Sequence, residues 1–205
     1  MHAPAALVFV VDDDLSVREA LRSLILSVGL RCETFASTAE FLRREPPDAP
    51  ACVVLDVHLA GESGLDLPST LRHAGIELPI IFMTGQGTIP MSVQAMKSGA
   101  VEFLTKPFSE RELMDAIDQA VRRDEAARAE REAMQTLRDR FGDLTPRERD
   151  VFTLVAAGRM NKEIAAHFGT AEQTIKQHRG QVMRKLGARS VADLVRMAER
   201  LAPPS

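Results

Sequence analysis

Leu7-Val8-Phe9-Val10-Val11-Asp12-Asp13-Asp14 is the stretch whose reading decides the fold. Five apolar residues, three of them β-branched, run straight into three carboxylates. An apolar run without alternation suits a strand covered on both faces, as in a parallel sheet. The shape recurs at 53–56 (VVLD), 79–83 (PIIFM) and 101–104 (VEFL), with 31–35 (RCETF) as a weaker copy. Helical patterns lie between them. From Leu15 to Val28 the apolar residues Val17, Ala20, Leu21, Leu24, Ile25 and Val28 follow the 3.6-residue period. Ser37-Thr38-Ala39-Glu40 has capping-box spacing. Strands alternating with helices predict an α/β doubly wound five-stranded parallel sheet.

The fifth helix opens on a second capping box, Ser109-Glu110-Arg111-Glu112, and no Gly or Pro follows until Gly142. A continuous helix of about 30 residues is predicted. Leu113, Ile117, Ala120 and Val121 can dock its first part. Beyond Arg122-Arg123-Asp124-Glu125 it is mostly charge and Ala. Its heptad seam carries Asp124, Arg131 and Arg138, which argues for a solvent-exposed spacer over a strong coiled coil. A new unit starts at Leu144-Thr145-Pro146-Arg147-Glu148, where Thr145 caps, Pro146 fits the first helical position and Glu148 completes the box. A small all-α domain of four helices follows, near 146–157, 161–168, 171–186 and 190–200. The predicted organisation is therefore 1–122, an α/β domain; 123–143, a linker continuing the fifth helix; and 144–205, a four-helix domain.

The net charge of −3 over 205 residues hides a division. Residues 1–123 hold 11 basic and 17 acidic side chains, net −6; residues 124–143 are net −2; residues 144–205 hold 11 and 6, net +5. An acidic front and a basic end imply different partners. No apolar run approaches the roughly 20 residues of a membrane span. Met1-His2-Ala3-Pro4 opens no basic and apolar leader, so no signal peptide and a cytoplasmic location are expected. Cys32 and Cys52 read as small buried hydrophobes, and no zinc spacing is present.

Asp12-Asp13-Asp14, Asp56, Thr84-Gly85 and Lys106-Pro107 all fall at carboxyl ends of predicted strands, where doubly wound sheets place their sites. Clustered carboxylates repel unless a cation joins them, and an all-oxygen set suits Mg²⁺. Asp56 could then attack a phosphoryl group, with Lys106 neutralising its oxygens and Thr84 donating a hydrogen bond.

In this order, DD…D…T…KP, residues 7 to about 121 resemble the receiver domain of two-component response regulators, a flavodoxin-like fold. The resemblance implies that Asp56 accepts phosphate. Mg²⁺ would be held by Asp12, Asp13, Asp56 and the backbone carbonyl of His58, with Asp13 favoured over Asp12 as direct ligand. Thr84 and Phe103 would be switch positions, and Lys106 would sense phosphate ahead of a cis bond to Pro107. The His58 side chain is expected to face solvent. Leu59-Ala60 stands where the family often has Met-Pro, so a more mobile loop is expected. Thr84 moving toward the phosphoryl group would let Phe103 follow and remodel a face used for dimerisation.

Residues 161–176 read as helix, turn, helix, with Gly169 as the turn and Thr170 with Gln173 as a capping box. Ile175, Val182 and Leu186 form the buried stripe of the second helix, and Gln173, Lys176, Gln177, Gly180 and Arg184 the outer, polar one. The pattern LTPRERDVFTLVAAGRMNKEIA…TIKQHRGQVMRKLGARS resembles the DNA-binding domain of LuxR/NarL/FixJ regulators. The resemblance implies base reading at Lys176, Gln177 and Gly180. Lys162, Thr174, Arg179, Arg184 and Lys185 are candidate phosphate contacts. The last helix is implied as a dimerisation element.

The whole chain is similar to a FixJ-type response regulator. The function implied is transcription control through phosphorylation of an aspartate by a sensor histidine kinase. Double-stranded DNA, RNA polymerase and a second copy on activation are the other expected partners. No enzyme activity is expected beyond the receiver's own phosphoryl transfer and slow dephosphorylation. A phosphorylation-independent dimeric regulator is the alternative. A phosphohydrolase would leave the basic helix without a role.

Overall fold

The structure is a computed structural model that describes residues 5–202; Met1–Pro4, on which the expectation of no leader rests, lie outside the described residues. The described residues form two compact units that divide between Arg128 and Ala129.

The first unit is built on a parallel sheet of β1 (Leu7–Val11), β2 (Arg31–Phe35), β3 (Ala51–Asp56), β6 (Ile80–Thr84) and β7 (Glu102–Thr105). Its order is β2-β1-β3-β6-β7, the doubly wound arrangement expected. Strand alternation divides the core in two. Phe9, Val11, Val53, Leu55 and Phe82 point to one face, against Phe41 of α2 (Thr38–Leu42), Leu71 of α3 (Leu67–His73) and Ala95 of α4 (Ile89–Lys97). Val8, Val10, Cys52, Val54, Ile81 and Met83 point to the other, against α1 (Leu15–Ser27) and the start of α5 (Glu110–Gly142). Every residue of β1, β3 and β6 is buried, which is why their apolar runs are unbroken. β6 begins one residue later than predicted. Pro79 has no N–H to give the ladder, although its carbonyl accepts from the Val53 N–H at 2.9 Å. Burial pushes the Cys52 thiol up to about 12 and the Cys32 thiol up to about 11, so both stay protonated at neutral pH.

A two-stranded hairpin, β4 (His58–Leu59) with β5 (Glu62–Ser63), follows β3 and was not predicted. Gly61 turns it at φ 83°. Glu62 fastens it to the start of α2, accepting from the Thr38 N–H at 3.0 Å and the Thr38 hydroxyl at 2.6 Å. The loop opened by Leu59-Ala60 is thus folded as a hairpin tied to α2 by Glu62.

The α5 helix runs 33 residues from its Ser109/Glu112 capping box. It is not the wholly exposed spacer predicted. Asp124 is 1% exposed. Its Oδ2 accepts from the Ala51 N–H at 2.8 Å and from Arg128 Nε at 2.6 Å. Further along, Leu137 is buried and Met134 and Phe141 are partly buried in the core of the second unit.

That second unit adds α6 (Pro146–Ala156), α7 (Asn161–Phe168), α8 (Glu172–Leu186) and α9 (Val191–Leu201) around Val151, Phe152, Ile164, Ile175, Val182, Leu186 and Leu194. The Thr145/Glu148 capping box forms as predicted. The Thr170/Gln173 box does not: α8 is capped at Ala171 with no side-chain bond, because the Thr170 N–H closes α7 on the Ala165 carbonyl at 3.0 Å. Gly169, at φ 62°, makes that closure possible. No described helix is long and apolar enough to cross a membrane.

Candidate functional site

Asp12, Asp56, Thr84 and Lys106 meet at the carboxyl ends of β1, β3, β6 and β7. The end of β1 turns directly into α1, so Asp12 is left 1% exposed below the surface. Its Oδ1 accepts from the Asp14 N–H at 2.8 Å, and its carbonyl from Arg18 Nη1 at 2.6 Å. Asp14 caps α1, accepting from the Ser16 N–H at 2.8 Å. Lys106 lies between the two deeper carboxylates, with Nζ 2.9 Å from Asp12 Oδ2 and 2.6 Å from Asp56 Oδ2. The remaining oxygen of Asp56 accepts from the His58 N–H at 2.9 Å.

Burial holds the Asp12 carboxyl above the usual range even though Lys106 hydrogen-bonds to it. Burial alone would lower the Lys106 ammonium, but hydrogen bonds to Asp56 and then Asp12 outweigh it and hold the ammonium up. The two upward shifts have different causes: Asp12 is the deeper partner and is raised by burial, while Lys106 is raised by the two carboxylates that hold it. The peptide bond between Lys106 and Pro107 is cis.

Thr84 is fully buried. Its Oγ1 accepts from the Gln86 N–H at 3.2 Å and lies 3.1 Å from His58 Nδ1. The His58 ring is exposed, yet it reaches Thr84 instead of only facing solvent. Phe103 is half-buried against the first core cluster. Asp13 is exposed and stands outside the Lys106 cluster. Among the described residues, no three His, Cys, Asp or Glu side chains are gathered as a finished metal cage. Two carboxylates already share one cation, however, and carboxylate oxygens suit Mg²⁺ with waters completing its shell.

In the second unit α8 turns a polar face outward. Gln173, Lys176, Gln177, Gly180 and Arg184 are exposed, as is Lys162 on α7. A Cβ on Gly180 would meet no atom of this chain, so internal packing does not demand its absence. Arg184 hydrogen-bonds to Gln181, and Arg179 donates to Asn161 Oδ1 at 3.2 Å. Thr174 is half-buried. Lys185 turns inward: its Nζ sits 2.7 Å from Glu148 Oε2 and 3.1 Å from the Asp143 carbonyl. Lys185 first, and the Thr145 N–H second, hold the Glu148 carboxyl below the usual range.

Residues 8–118 match the family model of the response regulator receiver domain, and residues 143–198 that of the luxR family of bacterial regulatory proteins. This chain belongs to the response regulators. Nodulation protein W of Bradyrhizobium diazoefficiens is 51% identical over 196 residues, covering 96% of this chain and 86% of that protein. Response regulator protein TodT of Pseudomonas putida is 42% identical over 201 residues, covering 98% and 88%. The solved structure of response regulator StyR is 46% identical, with a TM-score of 0.84, over 96% of this chain and 99% of the other. The chain is a transcriptional regulator with a receiver and a LuxR-type DNA-binding domain.

Two glycines of this response regulator border the pocket without having been singled out in the sequence. A Cβ on Gly64 would stand 2.2 Å from the Asp56 carbonyl oxygen. A Cβ on Gly87 would stand 3.1 Å from Thr105 Oγ1, 3.3 Å from the Phe103 ring and 3.4 Å from Thr84 Cγ2. The signal for Gly64 was its place in the hairpin loop after Asp56. Gly87 sits three residues past Thr84, where nothing in the spacing distinguishes it from a turn glycine.

Proposed function

We propose that this response regulator is switched by phosphorylation of Asp56, delivered by a sensor histidine kinase, and that the switch controls dimerisation and sequence-specific DNA binding. The observation that carries the reading is the Asp56 carboxylate at the mouth of β3, 2.6 Å from the Lys106 ammonium. We assign residues 1–122 to the receiver, 123–143 to the helical linker and 144–205 to the DNA-binding domain.

An Asp56 oxygen forms the new bond to phosphorus as the donor's P–N bond breaks and its electron pair returns to the imidazole. Lys106 balances charge on the phosphoryl oxygens, and Thr84 donates its hydroxyl to one of them. Asp12, Asp13, Asp56 and the His58 carbonyl are the residues that would hold Mg²⁺, which supplies further positive charge when bound. Asp13 is favoured over Asp12 as direct ligand, since both Asp12 carboxylate oxygens are already engaged, by the Asp14 N–H and by Lys106, while Asp13 is exposed. Slow hydrolysis of the resulting acyl phosphate is the only other chemistry assigned to the chain.

Thr84 moving toward the phosphoryl group frees space beside Gly87 for the Phe103 ring. That change reaches α4 and β7, where Ile89, Val93 and Met96 are 81%, 46% and 49% exposed on one helix. This apolar stripe supports a second copy of the receiver as its occupant after activation. On DNA, Lys176, Gln177 and the space over Gly180 read bases, and Lys162, Thr174, Arg179 and Arg184 position the backbone. RNA polymerase is the partner through which bound regulator acts on transcription. The test is stoichiometric labelling with acetyl phosphate and Mg²⁺. The wild type is expected to take up phosphate and Asp56→Asn to take up none; labelling of Asp56→Asn overturns the assignment.

A further inference from the structure

We propose that His58 is a positioning residue that holds the Thr84 hydroxyl away from the phosphoryl site in the unphosphorylated chain; this rests on the reading of Asp56 as phosphoacceptor. His58 links nucleophile and hydroxyl through two different groups. Its backbone N–H donates to Asp56 Oδ1 at 2.9 Å, while its ring Nδ1 lies 3.1 Å from Thr84 Oγ1. The second partner of that hydroxyl is the Gln86 N–H, at 3.2 Å. Among the described residues neither Asp56 nor Lys106 hydrogen-bonds to it. Both partners therefore hold the hydroxyl outside the carboxylate–ammonium cluster.

A threonine hydroxyl has one proton to donate and two lone pairs to accept with. The Gln86 N–H occupies one lone pair. The His58 ring takes the proton when Nδ1 is bare, or fills the other lone pair when Nδ1 carries hydrogen. With Nδ1 bare the hydroxyl proton itself is committed to the ring; with Nδ1 protonated that proton is free, but the rotation that would carry the Thr84 oxygen toward a phosphoryl group still breaks the His58 contact. The contact stabilises the unphosphorylated arrangement alone, so its loss shifts the population toward the arrangement that receives phosphate. The ring is free to act this way because the pinned β4–β5 hairpin fixes its backbone: Glu62 binds Thr38, and the Gly64 N–H donates to the Val57 carbonyl at 2.9 Å.

The experiment measures phosphate gain from acetyl phosphate with Mg²⁺, and phosphate loss after donor removal, at one fixed pH on the full chain. His58→Ala is expected to gain phosphate about three- to tenfold faster, the scale of one net hydrogen bond. Its rate of loss is expected to stay within about twofold of wild type, since the contact is already broken in the phosphorylated form. His58→Asn, whose δ atoms lie as far along the side chain as Nδ1, is expected to restore the wild-type rate. In a Thr84→Val background His58→Ala is expected to change nothing, because the pair no longer exists. Equal acceleration in both backgrounds, or of gain and loss together, would show that His58 merely screens the entrance and overturn the proposal. A second readout is the nitrogen NMR signal of the His58 ring in unphosphorylated protein. Thr84→Val is expected to shift it, and an unmoved signal also overturns the proposal. If no variant takes up phosphate, the Asp56 reading fails and the ring signal alone decides the contact.

Discussion

Lys106 and Asp56, fifty residues apart in sequence, meet with Nζ 2.6 Å from Oδ2, and the same ammonium holds Asp12 at 2.9 Å. One cation thus serves two carboxylates at the end of the sheet. Removing it leaves two like charges facing each other in a partly buried site. Lys106→Met is expected to lower stability by about 1–3 kcal/mol in metal-free buffer. Mg²⁺ is expected to recover more of that loss than it adds to wild type. Urea unfolding with and without Mg²⁺ measures both; equal metal effects on the two proteins would contradict the shared-cation account.

Asp12 carries its charge at a cost. Burial raises its folded pKa above the unfolded value, so the folded state binds more protons and stability falls as pH rises through that range. Asp12→Asn is expected to raise the thermal midpoint at neutral pH by a few degrees and to weaken Mg²⁺ binding. The added stability is expected to vanish at acid pH, where wild-type Asp12 is itself protonated. A midpoint difference that does not depend on pH would reject this explanation.

Gly64 has no room for a side chain, with the Asp56 carbonyl oxygen 2.2 Å from where a Cβ would sit. Gly64→Ala is expected to displace the hairpin and Asp56 together. The expected loss is about 1–3 kcal/mol of stability, with a reduced phosphorylation rate. Gly61→Asn, at a turn that tolerates Asn and has open space around it, is the control and should retain both.

The second unit has its own pH dependence. Lys185 depresses the folded pKa of Glu148 below its unfolded value. That stabilisation is complete above the unfolded carboxylate range and is lost as pH falls through the folded value. Lys185→Met is expected to flatten the acid limb of stability below the unfolded carboxylate range and to leave the salt dependence of DNA binding nearly intact. Lys176→Ala is expected to do the reverse, costing about 1–3 kcal/mol of DNA affinity with stability unchanged. Exchanged phenotypes would mean that the two lysines are assigned the wrong way round.

What was legible in the sequence depended on whether a repeating pattern marked it. The strands were, because full burial of β1, β3 and β6 leaves unbroken apolar runs. The convergence of Asp12, Asp56, Thr84 and Lys106 was too, because strand ends in a doubly wound sheet share one edge. The β4–β5 hairpin was not, since two-residue strands containing Glu62 and Ser63 carry no periodic signal. Asp124 looked like one charge in a solvated run; its burial depends on an N–H of Ala51, 73 residues away. Lys185 looked like a phosphate contact, and its inward turn depends on Glu148, 37 residues away. Capping at Thr170 failed because the closing turn of α7 claimed that residue's N–H first. Periodic runs and the shared edge of strand ends can be read from the sequence; single side-chain partners that only packing selects, such as Ala51 for Asp124 and Glu148 for Lys185, cannot.

The central claim is that phosphate on Asp56 changes what α8 does on DNA. Its most direct measurement is DNA affinity of the full chain, on a site selected with phosphorylated protein, before and after acetyl phosphate with Mg²⁺. Tighter binding after phosphorylation in wild type, by about tenfold or more, with no change in Asp56→Asn, is the predicted result. Equal affinity before and after, at full phosphate occupancy, would contradict it and favour a regulator that binds DNA without the switch.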